Sequence, residues 1–111
     1  MTQLFEAIKQ IAEDNPDGFT VRIPTLEYLT DGYIAAYLET QDCFGDAGLM
    51  KVLEHAAAHD NIVGGWRNNE NKQYYFDSSK VFDNRDEAIK FGRENKQIAI
   101  FDMYAFREIR L

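Results

Sequence analysis

The sequence predicts an α+β fold, with three helices packed mainly on one face of an antiparallel or mixed sheet of five to six strands. Three observations lead there. Residues 62–82, IVGGWRNNENKQYYFDSSKVF, read as a β-hairpin with apolar and aromatic arms around a polar turn. Three other stretches carry apolar residues at helical spacing. The segments between them are short apolar runs bounded by turn residues, with no repeat period, low-complexity tract or linker. The element order is α-β-β-α-β-β-α-β, with a further C-terminal edge strand available, all in one domain spanning residues 1–111. Short connections predict hairpins for the first and second strand pairs.

Leu4, Phe5, Ile8, Ile11 and Ala12 recur at helical spacing, so residues 3–13 form an amphipathic helix with Thr2 placed to cap it. Asn15-Pro16-Asp17-Gly18 stops it, since proline cannot continue a helix and Asp-Gly suits a turn. Phe19 to Ile23 alternates and reads as the first strand, ended by Pro24. Thr25 to Thr30 fits neither period. After the Asp31-Gly32 turn, the aromatics and short length of Tyr33 to Leu38 favour a strand. Thr40 to Gly45 is a loop carrying Cys43 and Phe44.

Asp46 is placed to cap a helix from Ala47 to His59, with Leu49, Val52, Leu53 and Ala56 as its buried stripe and Met50 and Ala57 beside it. In the hairpin, Asn68 to Asn71 is too polar to bury and marks the turn. Alternation sets Tyr74 and Phe76 on one face and Gln73, Tyr75 and Asp77 on the other; Ile62, Gly64 and Trp66 share a face. Gly64 and Gly65 mark a bulge or a close approach, and the narrow Ala56-Ala57-Ala58 face of the preceding helix suits that approach. The alternative use of the pair is a ligand at the backbone.

Asn84 followed by Glu87 has capping-box spacing and opens a third helix over 85–95, with Ala88, Ile89, Phe91 and Gly92 inward and Asn95 as a left-handed C-cap. Gln97 to Asp102 is apolar on both faces and reads as a central strand. Phe106 to Arg110 is a short edge strand blunted by Arg107, Glu108 and Arg110.

Composition narrows function by exclusion. With 45% hydrophobic and 14% aromatic residues, 111 residues can build one compact core. A net charge of −7, from 19 acidic and 12 basic residues, disfavours a phosphate-gripping or anionic-membrane surface, so no nucleic acid and no membrane is expected as partner. No apolar run reaches the roughly 18 residues of a bilayer span. The start MTQLFEAIKQ lacks the pattern of a signal peptide, and a single cysteine fits a reducing compartment, so a cytoplasmic location is expected.

Asn15 to Thr20, Val63-Gly64-Gly65-Trp66, Tyr74 to Ser78 and Asn95 to Asp102 are turn and strand blocks. From about residue 15 onward they resemble a family of small proteins of bacteriophages and of conjugative elements in gut bacteria, found also as domains of large polyvalent phage proteins. The resemblance carries no catalytic set. It implies a shared fold and a cytosolic accessory role on a mobile element, directed at host or rival defence machinery.

No residue set in the chain spells out a reaction or a cofactor. His55 and His59 lie four apart on one helix face, which can hold a metal through two imidazoles. The intervening alanines lack the glutamate of the zinc-protease motif, and two ligands are too few for a tight site unless Cys43 or Asp60 completes it. Cys43 is a poor nucleophile, because Asp42 and Asp46 raise its thiol pKa. Asp77, Asp83, Asp86 and Asp102 can converge if strand ends meet, although each also fits a turn or cap. Gly45-Asp46-Ala47-Gly48 lacks the lysine and spacing of a phosphate loop.

Trp66, Tyr74 and Tyr75 are the strongest recognition candidates, because Trp and Tyr dominate interface hot spots; the expected binding set is Trp66, Tyr75 and Tyr37 with acidic rim residues, and with Gly64 and Gly65 where a ligand could meet the backbone. An aromatic sheet face left open by the helices would take a protein partner or a second copy of the chain. The leading expectation is therefore a non-enzymatic interaction module that needs no cofactor. The alternatives are a small metal-assisted hydrolase using His55, His59 and carboxylates, and an acidic mimic of nucleic acid that blocks a DNA-binding protein.

Overall fold

The computed structural model describes residues 2–111; the expected Thr2 cap lies outside the described side chains. In chain order the elements are α1 (Thr2–Asp14), β1 (Phe19–Arg22), β2 (Tyr33–Ala36), a 3-10 turn (Leu38–Thr40), β3 (Cys43–Phe44), α2 (Gly45–Ala57), β4 (Ile62–Arg67), β5 (Tyr74–Phe82), α3 (Arg85–Glu94), β6 (Ala99–Asp102) and β7 (Arg107–Arg110). The seven strands make one sheet in the order β1-β4-β5-β2-β6-β7, with β3 on β5, and every pairing is antiparallel. The radius of gyration, 12.8 Å, is that of one compact unit.

The β4–β5 hairpin forms as its sequence requires. Its turn is closed by Asn68 N–H to Gln73 O (2.8 Å) and by the side chains of Asn68 and Asn71, which accept from the amides of Glu70 and Gln73. The first strand pair does not make a hairpin. β1 pairs with β4, Phe19 to Arg22 opposite Gly65 to Ile62, while β2 lies between β5 and β6. The reason is visible in β2 itself: Ile34 and Ala35 are both buried, so the strand has apolar surface on both faces and belongs inside the sheet. The free side of β1 is instead closed by its own return, with Leu29 N–H donating to Thr20 O and Tyr28 bridging Val21.

All three helices cover one face. Ile8 and Ala12 of α1 and Leu49, Val52, Leu53 and Ala56 of α2 bury Val21, Val63 and Phe76. Ala88, Ile89 and Phe91 of α3 pack on Tyr33, Ala35, Phe82 and Ile100 at the other end of the same face. The opposite face is closed only in part, where Leu29 and Met103 cover Ile34, Ile62, Val81 and Phe101.

Several details differ from the sequence expectation. α2 starts at Gly45 with no side-chain cap; Asp46 sits in its first turn, 3.3 Å from the Lys9 ammonium, and favours the positive helix end from there. α3 is capped by Asn84, which accepts from Glu87 N–H at 3.0 Å, but the left-handed residue after it is Lys96 (φ 57°), not Asn95. Asn95 keeps φ −94° because its side chain is in use, donating to Phe91 O and accepting from Leu38 N–H. β6 is paired on both sides, yet second from the edge, and Ile98 precedes it fully outside the core at 76% exposure.

Gly64 and Gly65 continue the ladder without a bulge, and the groups nearest them belong to Phe19, Tyr74 and Asp77. A Cβ on Gly65 would stand 2.6 Å from Tyr74 Cε1 and 2.7 Å from Phe19 Cε1; one on Gly64 would stand 2.9 Å from Asp77 Oδ1. The pair makes room for aromatic rings and a carboxylate. Of the alanine run, Ala56 is buried whereas Ala57 and Ala58 face out.

Candidate functional site

The uncovered part of the sheet carries a strip of rings. Trp66 and Tyr75 are cross-strand partners, and their rings stack at 5.4 Å with an interplanar angle of 18°. Phe44, held beside Tyr75 by the β3–β5 pairing, adds a third ring at 5.4 Å. Trp66 and Phe44 are each 47% exposed. The strip is held in place: the Asn71 amide donates to the Tyr75 hydroxyl at 2.8 Å, so the hairpin turn fixes the ring that joins the other two.

Beside the strip lies a cleft of about 260 Å³ whose lining includes Trp66, Tyr75, Asp77, Gln41, Asp42 and Gln97. Asp77 sits next to the Gly64 backbone and accepts from the Ser79 hydroxyl at 2.5 Å. Burial pushes its carboxyl above the usual carboxylate range, and the Ser79 hydrogen bond opposes this only in part. Gly64 is thus functional in shape: its missing side chain is the space that Asp77 occupies.

Tyr37 borders the same cleft, but its ring turns to the helix side, between His55 and His59 at 4.9 Å each and Phe91 at 5.1 Å. Its hydroxyl donates to Asp60. Burial, followed by that bond, raises the phenol pKa. The structure therefore joins Trp66 with Tyr75 and separates them from Tyr37.

On that helix side the two histidines meet as their spacing requires, although His59 lies beyond the end of α2. Their rings are parallel (1°) and 3.8 Å apart. The residue that joins them is Glu39, from the 3-10 turn, whose carboxylate is 2.8 Å from His55 Nε2. The bond from His55 holds the Glu39 pKa below its ordinary value. Among the described residues, one ligand atom each of Glu39, His55 and His59 lies within 4.8 Å of the other two. Neither of the residues expected to complete the pair does so. Cys43 is buried in the core under α2, its thiol pKa raised first by burial and further by Asp42 and Asp77. Asp60 is engaged by Tyr37.

Ser78, His55 and Glu39 form a hydrogen-bonded string with the connectivity of a hydrolase triad, Ser78 Oγ lying 2.8 Å from His55 Nδ1. Ser78 is completely buried beneath α2, so no substrate reaches its hydroxyl. The string anchors the His55 ring. The aspartates are used locally as well: Asp102 accepts from the amides of Tyr104 and Ala105, while Asp83 and Asp86 flank the start of α3 as exposed groups.

Sequence reasoning missed Phe44 and Glu39. Phe44 was legible as the outward partner of inward Cys43 had those two been read as a strand. Nothing in the local sequence marks Glu39, which reaches the histidines only through the chain's return. Comparison with protein-family models, with curated proteins and with solved structures gives no match to this chain.

Proposed function

We propose that the chain is a non-enzymatic interaction module that binds a basic segment of a protein partner on the Phe44–Tyr75–Trp66 strip. The observation that carries this reading is the stacked and tethered Trp66–Tyr75 pair standing half-exposed beside a carboxyl-bearing cleft. Large rings already fixed in place lose little freedom on binding, which is what interface anchors require. The partner's chemistry follows from the cleft. Asp42 supplies negative charge, the Asp77 carboxyl supplies hydrogen-bond acceptors, the rings supply π faces, and the chain as a whole carries −7. A lysine or arginine side chain satisfies all of these. The resemblance to proteins of phages and conjugative elements adds a setting for this reading, an accessory protein acting on host machinery.

Trp66 is the only tryptophan, so its fluorescence reports on the site directly. Titration with arginine- and lysine-containing peptides should give a saturable change in emission that acidic peptides do not give, and Asp77→Asn should weaken it. The Trp66→Ala/Tyr75→Ala double variant, folded, should lose capture of host protein in a pull-down. Unchanged capture by that variant, or equal response to acidic and basic peptides, would end the proposal. A dimer seen by analytical ultracentrifugation that dissociates in the Trp66→Ala variant would show instead that the strip serves a second copy of the chain.

A further inference from the structure

We infer that Glu39, His55 and His59 form a binding site for a divalent first-row transition metal ion, independent of the aromatic strip on the other face of the sheet. The donor set is two imidazoles and one carboxylate with their ligand atoms within 4.8 Å of one another. That chemistry suits Zn2+ and its neighbours; Mg2+ and Ca2+ require oxygen-rich shells.

The surroundings of each ligand match what metal ligands need. His59 Nδ1 lies 2.7 Å from the His55 carbonyl, an acceptor only, so Nδ1 carries the proton and the Nε2 lone pair is free. His55 is fixed from behind by Ser78 Oγ at its Nδ1, which leaves Nε2 as the atom facing Glu39. Glu39 rides on a clamped turn: Leu38 N–H donates to the Asn95 side chain at 3.0 Å, and Ser78 N–H donates to Thr40 Oγ1 at 3.0 Å. The end of α3 and β5 thus hold the turn, and β5 also holds the His55 ring through Ser78. The Tyr37 ring, 4.9 Å from both imidazoles, walls the site from one side.

The stacked rings hold their lone pairs in parallel planes, and an ion needs them to converge. His59 is exposed and can swing to meet the ion, whereas the His55 side chain is only 12% exposed and stays. The ion takes the place of the contact between His55 Nε2 and the Glu39 carboxylate. Solvent completes the coordination, since three protein ligands leave one tetrahedral position open.

The test is isothermal titration of the untagged chain with ZnCl2, repeated in millimolar Mg2+. One Zn2+ per chain is expected, indifferent to Mg2+, with Co2+ giving the visible absorption of a tetrahedral site. His59→Ala should raise Kd by more than the roughly 10–100-fold that loss of an outer-shell partner costs, and Glu39→Gln should also weaken binding. Both residues are exposed, so the variants should keep the circular dichroism and the melting temperature of the metal-free chain. Trp66→Ala should bind Zn2+ as the parent does. Absence of stoichiometric binding to the parent, or full retention in His59→Ala, would overturn the inference.

Discussion

The two faces of the sheet use the same residue types to opposite ends. On the helix side, Tyr37, Phe82 and Phe91 are drawn together under α3, with Tyr37 sealed further by its bond to Asp60. On the other side, Phe44, Tyr75 and Trp66 stand in a row with no element laid over them among the described residues. Cross-strand register decides which ring goes where. Tyr74 and Tyr75 are neighbours in sequence, yet Tyr74 stacks over Phe19 and donates to Asn15 O, whereas Tyr75 faces out. The lesson is that an aromatic side chain's role in this chain follows from its parity along a strand, not from its hydrophobicity.

The contrast predicts unequal costs of truncation. Leu53 is wholly buried on the inner face of α2, so Leu53→Ala should cost about 2–5 kcal/mol in urea denaturation. Gly65→Ala should come next at roughly 1–3 kcal/mol, because its methyl group meets the Phe19 and Tyr74 rings at about 2.6–2.7 Å. Trp66→Ala should cost the least, about 1 kcal/mol or less, since it removes one exposed stacking contact. If Trp66→Ala destabilised the fold as much as Leu53→Ala, the open face would be a second core and the comparison would break.

Asp77 sharpens the comparison through pH. Its carboxyl titrates above the ordinary range, so the folded chain keeps that proton to higher pH than the unfolded chain does. Stability contributed by Asp77 is therefore greatest in acid and falls as pH rises through the raised value. Asp77→Asn removes that slope. Denaturation curves should show the variant gaining on the parent between acidic and neutral pH, and a variant that instead loses ground to the parent over this range would contradict the assignment.

Much of this was legible in the chain. The Asn68–Asn71 turn with aromatic arms gave the hairpin, and the Asn84–Glu87 spacing gave the cap of α3, since both depend on local geometry. Parity separated Tyr75 from Tyr74 within β5, and the β4–β5 register, which local sequence does not give, set Trp66 beside Tyr75. The β1–β4 pairing was not legible, because residues 23–32 look like a connection between neighbouring strands and instead fold back on β1. Glu39 was hidden for a related reason. It lies 16 residues before His55 and meets it only because β2 and α2 are both docked on β5. Spacing rules see one helix face at a time; a site assembled from a helix and a distant turn escapes them.

β5 pairs with β4 along Tyr74–Ser78 and with β2 along Ser79–Phe82, and it also carries β3. It is the one strand that both halves of the sheet share, and the polar residues Ser78 and Ser79 at its middle are completely or almost completely buried. Neither half can unzip without tearing hydrogen bonds from this strand. Its amides should thus be the last to trade protons for deuterons, and the rate at which they do so should track global unfolding of the chain.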